Sequence, residues 1–253
     1  YISPQLWAWG RFRLRYVKRY VDRMIVFFPF EEAFYQREGI PVTWVGHPLM
    51  ESSQPMMGRE ETITQLGLNA WRMTVGLLPG SRTDEVRRHL PLMLAAARHI
   101  AWDMPGVQFL VLKAPSVPRE ILDAQLSRAD VQVSVAEGQS RETLQVLDAA
   151  IVASGTATLE TALMGVPMAV VYRTSWPTYL AARLVLRIPH IALVNVIAGE
   201  LVVPEFVQHQ AQPKRIASAI IELLRSEERR AAMREALQLK VTERLGTPGA
   251  IER

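Results

Sequence analysis

At 253 residues, 49% of them hydrophobic, the chain has enough apolar side chain to bury one large core or two modest ones, as a soluble α/β enzyme does. Its formal net charge of +4 is not gathered into a polybasic tail, so nucleic acid is not expected as a partner, and an anionic substrate or a membrane surface fits equally well. The absence of cysteine excludes a disulfide scaffold and thiolate metal sites.

In chain order, Ser3 to Trp9 leads into a helix-like segment with Arg11, Arg15, Lys18 and Arg19 on one side and Val17, Tyr20, Val21 and Met24 on the other. That pattern suits anionic lipid headgroups, or an ordinary solvated face on a packed helix. Trp7 and Trp9 read as an acyl-chain entrance or as core filling. Met24 to Phe28 predicts a buried strand, Phe30 to Arg37 a short helix, and Val42 to Val45 a strand that stops at Gly46-His47-Pro48. These elements form a first unit over residues 1–52, and Glu51 to Met57 reads as a linker.

A second unit, residues 53–212, alternates strictly. It runs helix (Glu60 to Leu66), strand (Met73 to Leu78), helix (Asp84 to Trp102), strand (Val107 to Leu112), helix (Arg119 to Leu126) and strand (Val131 to Val135). A helix (Glu142 to Leu147), a strand (Ala149 to Ala153), a helix carrying Leu159, Leu163 and Met164, and a strand (Met168 to Tyr172) follow. Near-continuous Val/Leu/Ile strands between helices predict a parallel sheet covered on both faces. The apolar region Leu184 to Ala198, broken by Arg187, Pro189 and His190, suits a buried strand and loop better than a membrane span. The tail, residues 213–253, is helical, with Ile216, Ile220, Leu223, Leu224, Met233 and Leu237 on one stripe.

Two strand-to-helix turns carry the chemistry. Ser154-Gly155-Thr156 places unpaired N–H groups and the positive end of a helix dipole together, which suits an anion. Glu160, within the first turns of that helix, is spaced to reach ribose hydroxyls, so a nucleotide fits better than bare phosphate. A capped helix whose glycine allows close packing is the plain alternative. Pro79-Gly80-Ser81-Arg82 repeats the arrangement, and Arg82 offers a planar fork suited to phosphate oxygens or to a surface pair with Asp84 or Glu85. Both turns fall at strand carboxyl ends, where the ligand crevice of an open α/β sheet lies. A lone His47 between Gly46 and Pro48 reads as structural.

With Ser3 to Trp9, Pro29-Phe30-Glu31, Val45 to Leu49, Leu78 to Arg82 with Glu85, Ser154 to Glu160, Tyr172-Arg173, Leu193-Val194-Asn195 and Val203-Pro204-Glu205 with Gln208, the chain resembles the lipid-A-disaccharide synthase family nearly end to end. It departs from the family at Met50-Glu51, where an aspartate commonly follows, and at Val194, often proline. The resemblance implies a GT-B fold: two Rossmann-like domains with parallel sheets, the first incomplete here because its opening part precedes Tyr1, plus carboxy-terminal helices.

The activity it implies is transfer of 2,3-diacylglucosamine from its UDP conjugate to 2,3-diacylglucosamine 1-phosphate (lipid X), with inversion and without metal or cofactor. Arg82 then meets the diphosphate and stabilises the leaving group, Glu160 the ribose, and Asn195 the donor sugar or nucleotide. Gly80, Ser81, Ser154, Gly155 and Thr156 give close backbone approach, and Glu205 and Gln208 are expected near the sugar or closing a loop. The general base is attributed to an acidic residue upstream of Tyr1, so the 253-residue chain is expected to bind nucleotide and turn over little. Further expectations are a cytoplasmic protein peripheral at the inner membrane and a homodimer. Two other functions stay open: a related UDP-sugar enzyme such as a UDP-N-acetylglucosamine 2-epimerase, and a non-catalytic UDP-binding module.

Overall fold

The computed structural model describes residues 3–8, 10–52, 55–138, 140–185, 189–247 and 249–250. Trp9 therefore lies outside the described residues. A 3-10 turn at Arg11–Arg13 runs into α1 (Leu14–Tyr20), followed by β1 (Met24–Val26), α2 (Pro29–Arg37) and β2 (Val42–Trp44). β1 and β2 pair in parallel, Met24 opposite Val42, over a small core of Leu6, Leu14, Val17, Met24, Val26, Tyr35 and Ile40. Pro29, with its preset φ, opens α2, and the buried Glu31 reaches back to accept the Phe28 N–H at 3.3 Å.

The second unit contains α3 (Arg59–Gln65), β3 (Thr74–Leu78), α4 (Thr83–Asp103), β4 (Gln108–Lys113), α5 (Arg119–Leu126), β5 (Val133–Glu137) and α6 (Ser140–Gln145). It continues with β6 (Ala149–Ala153), α7 (Ala157–Leu163), β7 (Met168–Tyr172), α8 (Trp176–Val185), α9 (Leu193–Ala198) and β8 (Glu205–Val207). α10 (Pro213–Arg225) and α11 (Glu227–Leu237) follow, with helical turns at Gln238–Thr242 and Glu243–Leu245 after them. The six strands are all parallel in the order β5-β4-β3-β6-β7-β8, the doubly wound order in which direction of winding reverses between β3 and β6.

Alternate residues of each strand feed two cores. Val75, Leu77 and Ile151 join Leu90, Met93, Ile100, Ile216 and Ile220 on one face, where α4 and α10 pack. Leu78, Ala150 and Val152 join Leu159, Val194, Ile197 and Leu237 on the other. Each such leucine or isoleucine contributes roughly 2 kcal/mol on burial, so both faces are needed to hold the sheet. Gly76 is fixed by this packing, since a β-carbon there would stand 2.4 Å from Leu147 Cδ1. At the end of the chain, Leu245 O accepts the His47 N–H at 3.0 Å, and Arg244 donates to the carbonyls of Ile197 and Ala198, both at 3.0 Å, closing α9.

Several expectations change. The Leu184 to Ala198 region holds helix in place of the expected strand: α8 runs to Val185, residues 189–192 are loop, and α9 covers Leu193–Ala198. Val194, Ile197 and Ala198 are buried at helical spacing, and Gly199 ends the helix in the left-handed region at φ 72°. A short apolar run does not reveal that by periodicity alone. The fifth strand sits two residues later than Val131 to Val135, and the sixth helix starts earlier, at Ser140. β8 was not foreseen. Tyr20 does not share the packed side of α1: Leu14 and Val17 are buried, the helix ends at Tyr20, and Tyr20 stays 69% exposed.

Candidate functional site

The two glycine turns lie beside one another because β3 and β6 are neighbours at the reversal of strand order. Beyond their carboxyl ends opens a crevice of about 490 Å³ that brings together Gly80, Ser81, Arg82, Ser154, Gly155, Thr156 and Glu160, with Glu85 and Lys113 in its wall. A larger groove, about 650 Å³, lies between α10, α11 and the β8 edge, away from these strand ends.

Gly80 holds φ 118°, which a side chain would strain, and a β-carbon there would fall 2.5 Å from Glu85 Oε2. Glu85 explains the crowding. Its carboxylate accepts the N–H groups of Ser81 and Arg82 at 3.1 and 3.4 Å and pairs with the Arg82 guanidinium at 3.1 Å. The positive end of α4 is thus already answered by the chain's own anion. Arg82 keeps 83% of its side chain exposed, so its charge remains available to a ligand.

The β6 turn is different. Ser154 Oγ donates to Ile191 O at 3.1 Å and Thr158 Oγ1 to Gly155 O at 2.7 Å, which braces the turn. Among the described residues, the N–H groups of Gly155, Thr156 and Ala157 find no acceptor. These open donors lie where α7 begins, the part of the crevice most favourable to negative charge. Glu160 stands one turn further; burial pushes its carboxyl above the usual carboxylate range, with Arg141 acting in the opposite sense.

Lys113 was missed in the sequence. It ends β4 with its side chain 8% exposed and its Nζ 3.5 Å from Glu137 Oε2, a second cation in the crevice wall. The available signal was a lone lysine closing an otherwise apolar strand at its carboxyl end.

Asn195, Glu205 and Gln208 do not line the crevice. The fully buried Asn195 donates to Val203 O at 2.9 Å and Glu205 Oε1 at 2.7 Å, and its Oδ1 accepts from the N–H groups of Val202 and Val203. Glu205 also accepts from the N–H groups of Ile191 and Ala192, both at 3.0 Å. Gln208, at φ 50°, accepts the Thr174 N–H at 3.0 Å and donates to Thr174 O at 2.9 Å. Their polar atoms bond backbone and, for Asn195 and Glu205, each other, so in this structure they brace the backbone around residues 174, 191–192 and 202–203. His47 accepts the Leu49 N–H through Nδ1 at 3.1 Å and lies against Phe27 and Phe28, and burial lowers its pKa. It is a neutral joint between the first unit and the last turns of the chain.

Structural similarity extends to solved proteins that include two holding UDP-sugars and one glycosyltransferase. HepE of Anabaena in complex with UDP-glucose superposes with a TM-score of 0.58 at 12% identity, covering 96% of this chain and 65% of that one. The UDP-GlcNAc 2-epimerase of Neisseria meningitidis bound to UDP-GlcNAc gives 0.59 at 12% identity, over 91% and 59% of the two chains. WaaG, a glycosyltransferase involved in lipopolysaccharide biosynthesis, gives 0.54 at 14% over 85% and 56%. At such identities the likeness shows the fold, which is GT-B.

Sequence similarity is far closer. Lipid-A-disaccharide synthase of Syntrophus aciditrophicus is 45% identical over 254 residues, and that of Geobacter sulfurreducens 42% identical over 253. Each match takes in 100% of this chain and 66% of the relative, so the chain spans just under two thirds of their length. No close relative among these is an epimerase, and that alternative is not favoured. The family model for lipid-A-disaccharide synthetase matches residues 1–249, and the chain belongs to that family.

Proposed function

We propose that the chain forms the nucleotide-sugar-binding part of a glycosyltransferase that moves 2,3-diacylglucosamine from its UDP conjugate to lipid X, giving the β-1,6-linked lipid A disaccharide 1-phosphate and UDP. The observation that carries this reading is the convergence of the open Gly155 to Ala157 N–H groups, Arg82 and Glu160 on one crevice at the sheet's reversal point. In this reading the diphosphate lies across the start of α7 with Arg82 beside it, and the ribose hydroxyls donate to Glu160. The acceptor 6-hydroxyl attacks the anomeric carbon from the opposite face while the bond to the UDP oxygen breaks. Negative charge growing on that oxygen is met by the α7 donors and Arg82, where a single well-placed donor is worth about 3 kcal/mol. No residue of this chain is assigned as the base that takes the hydroxyl proton. Calorimetric titration of UDP into the chain, without divalent metal, tests the site; saturable binding is expected, and none by a folded chain rejects it.

Glu160 makes a sharper prediction. Its pKa is raised, so the protonated form is the one folding favours: its contribution to stability is full below the ordinary carboxylate value and lost as pH rises through the raised one. At neutral pH, Glu160→Gln is therefore expected to raise the melting temperature while weakening UDP binding. A variant that melts lower and binds normally would reject the assignment.

The acyl chains of both proposed substrates require contact with a lipid surface, and α1 supports one. Phe12, Tyr16 and Tyr20 recur every four residues at 68%, 50% and 69% exposure. Arg15 stacks on Tyr16 at 4.7 Å and Arg19 on Tyr20 at 5.4 Å. Aromatics beside arginines suit a surface of anionic headgroups, here the cytoplasmic face of the inner membrane; no described helix is long and apolar enough to cross it. Co-sedimentation with phosphatidylglycerol vesicles, but not with phosphatidylcholine vesicles, is expected, and Arg15→Glu with Arg19→Glu should abolish it. Undiminished binding by that double variant would remove α1 from the proposal.

A further inference from the structure

His89 lies on α4, seven residues beyond Arg82, and is 3% exposed. Its Nδ1 stands 3.1 Å from Pro79 O. A carbonyl only accepts, so Nδ1 carries the proton. On the other side of the ring, the Arg173 N–H donates to Nε2 at 3.1 Å, so Nε2 is bare. The two contacts together define one neutral tautomer.

The positions of those partners give the ring its significance. Pro79 follows β3 and immediately precedes the Gly80 turn, whereas Arg173 follows β7. In the sheet, β6 lies between β3 and β7, so the imidazole joins the exits on either side of the Ser154 to Thr156 turn. The next residue, Thr174, is held from the far side by both ends of the Gln208 amide. The backbone at 173–174 is therefore fastened twice, and the Pro79 carbonyl once, by side chains that do not line the crevice.

We infer that His89 is a positioning residue for the nucleotide crevice: its neutral imidazole ties the β3 exit to the β7 exit and holds the Arg82 turn in its binding geometry. The inference rests on the UDP reading given above. Its physical consequence is sensitivity to acid. A proton on Nε2 replaces an acceptor with a donor facing the Arg173 N–H, and the clasp opens. The groups bearing on the ring are Glu85 and Arg88 from α4, the Pro79 carbonyl from the β3 exit and the Arg173 N–H from the β7 exit. Burial is the largest influence and keeps the ring neutral; Glu85 favours the proton and Arg88 opposes it.

Titration of UDP into the wild-type chain, His89→Leu and His89→Gln, near neutral pH, tests the role. The leucine variant is expected to lose about tenfold in affinity, the equivalent of one buried hydrogen bond to a site that must stay fixed. Glutamine, which offers an acceptor near the Nε2 position, should recover part of that loss. A folded His89→Leu chain that binds UDP as the wild type does overturns the inference. If the leucine variant does not fold, the decision falls to His89→Gln and to a pH series on the wild type, with UDP-glucose as probe because its diphosphate does not titrate near neutrality. Affinity that falls in step with protonation of the His89 imidazole, followed by nitrogen NMR while the fold persists, supports the role; affinity indifferent to it overturns it. Should the wild type bind no UDP at all, the nucleotide reading fails, and the NMR spectrum still decides the clasp, since an Nε2–H tautomer is incompatible with it.

Discussion

Replacing Arg82 with alanine is expected to weaken UDP binding about a hundredfold and to leave the folded chain nearly as stable as before. The guanidinium is 83% exposed, and its partner in the free chain is Glu85 at 3.1 Å. Surface pairs of this kind contribute about 0–1 kcal/mol, so thermal melting should barely move. Against a diphosphate the balance differs: a charged fork can make two parallel bonds to phosphate oxygens, each worth about 1.5–3 kcal/mol. The low end of that sum, less the Glu85 pair that the free chain gives up, is about 2.7 kcal/mol, the equivalent of the expected hundredfold. Arg82→Lys should restore only part, because a point charge lacks the fork. Calorimetry paired with thermal melts reads both quantities, and an Arg82→Ala chain that binds UDP normally would take the diphosphate away from this crevice.

The turns that build the crevice were legible in the sequence because each follows an apolar strand and contains a glycine that the backbone requires, as Gly80 at φ 118° illustrates. Their adjacency was not written locally. It depends on β3 and β6 meeting at the reversal of strand order, a product of the whole sheet. The same limit applies to Asn195, Glu205 and Gln208: motif identity marks them as important polar residues, yet only the tertiary fold shows that the backbone of residues 174, 191–192 and 202–203 takes up hydrogen bonds from them. Tyr20 was assigned to the packed side because it follows the buried Val17 by three residues, yet it is the last residue of α1 and stays 69% exposed. β8 has a single buried residue, Phe206, between Glu205 and Val207, and so lacks the apolar run that marks β1.

Asn195→Ala should then be a stability variant first. Its amide makes four hydrogen bonds inside a fully buried site, two as donor to Val203 O and Glu205 and two as acceptor from Val202 and Val203. Alanine removes all four and leaves two N–H groups without their acceptor, at a cost of about 1–3 kcal/mol for each buried group left unsatisfied. The expected loss is about 3–5 kcal/mol, a large share of the roughly 5–15 kcal/mol that holds a typical domain together, and urea unfolding should show it as a lower midpoint. Asn195→Asp should fare no better, since it gives up the donor and sets a second carboxylate against Glu205 and a carbonyl oxygen. Loss of UDP binding should follow loss of structure in both variants, because Glu205 ties Asn195 to the Ile191 backbone and Ser154 bonds to the carbonyl of that same residue. The decisive contrary result is an Asn195→Ala chain with unchanged urea midpoint that no longer binds UDP, for such a chain would have lost a contact to the nucleotide and not a brace behind it.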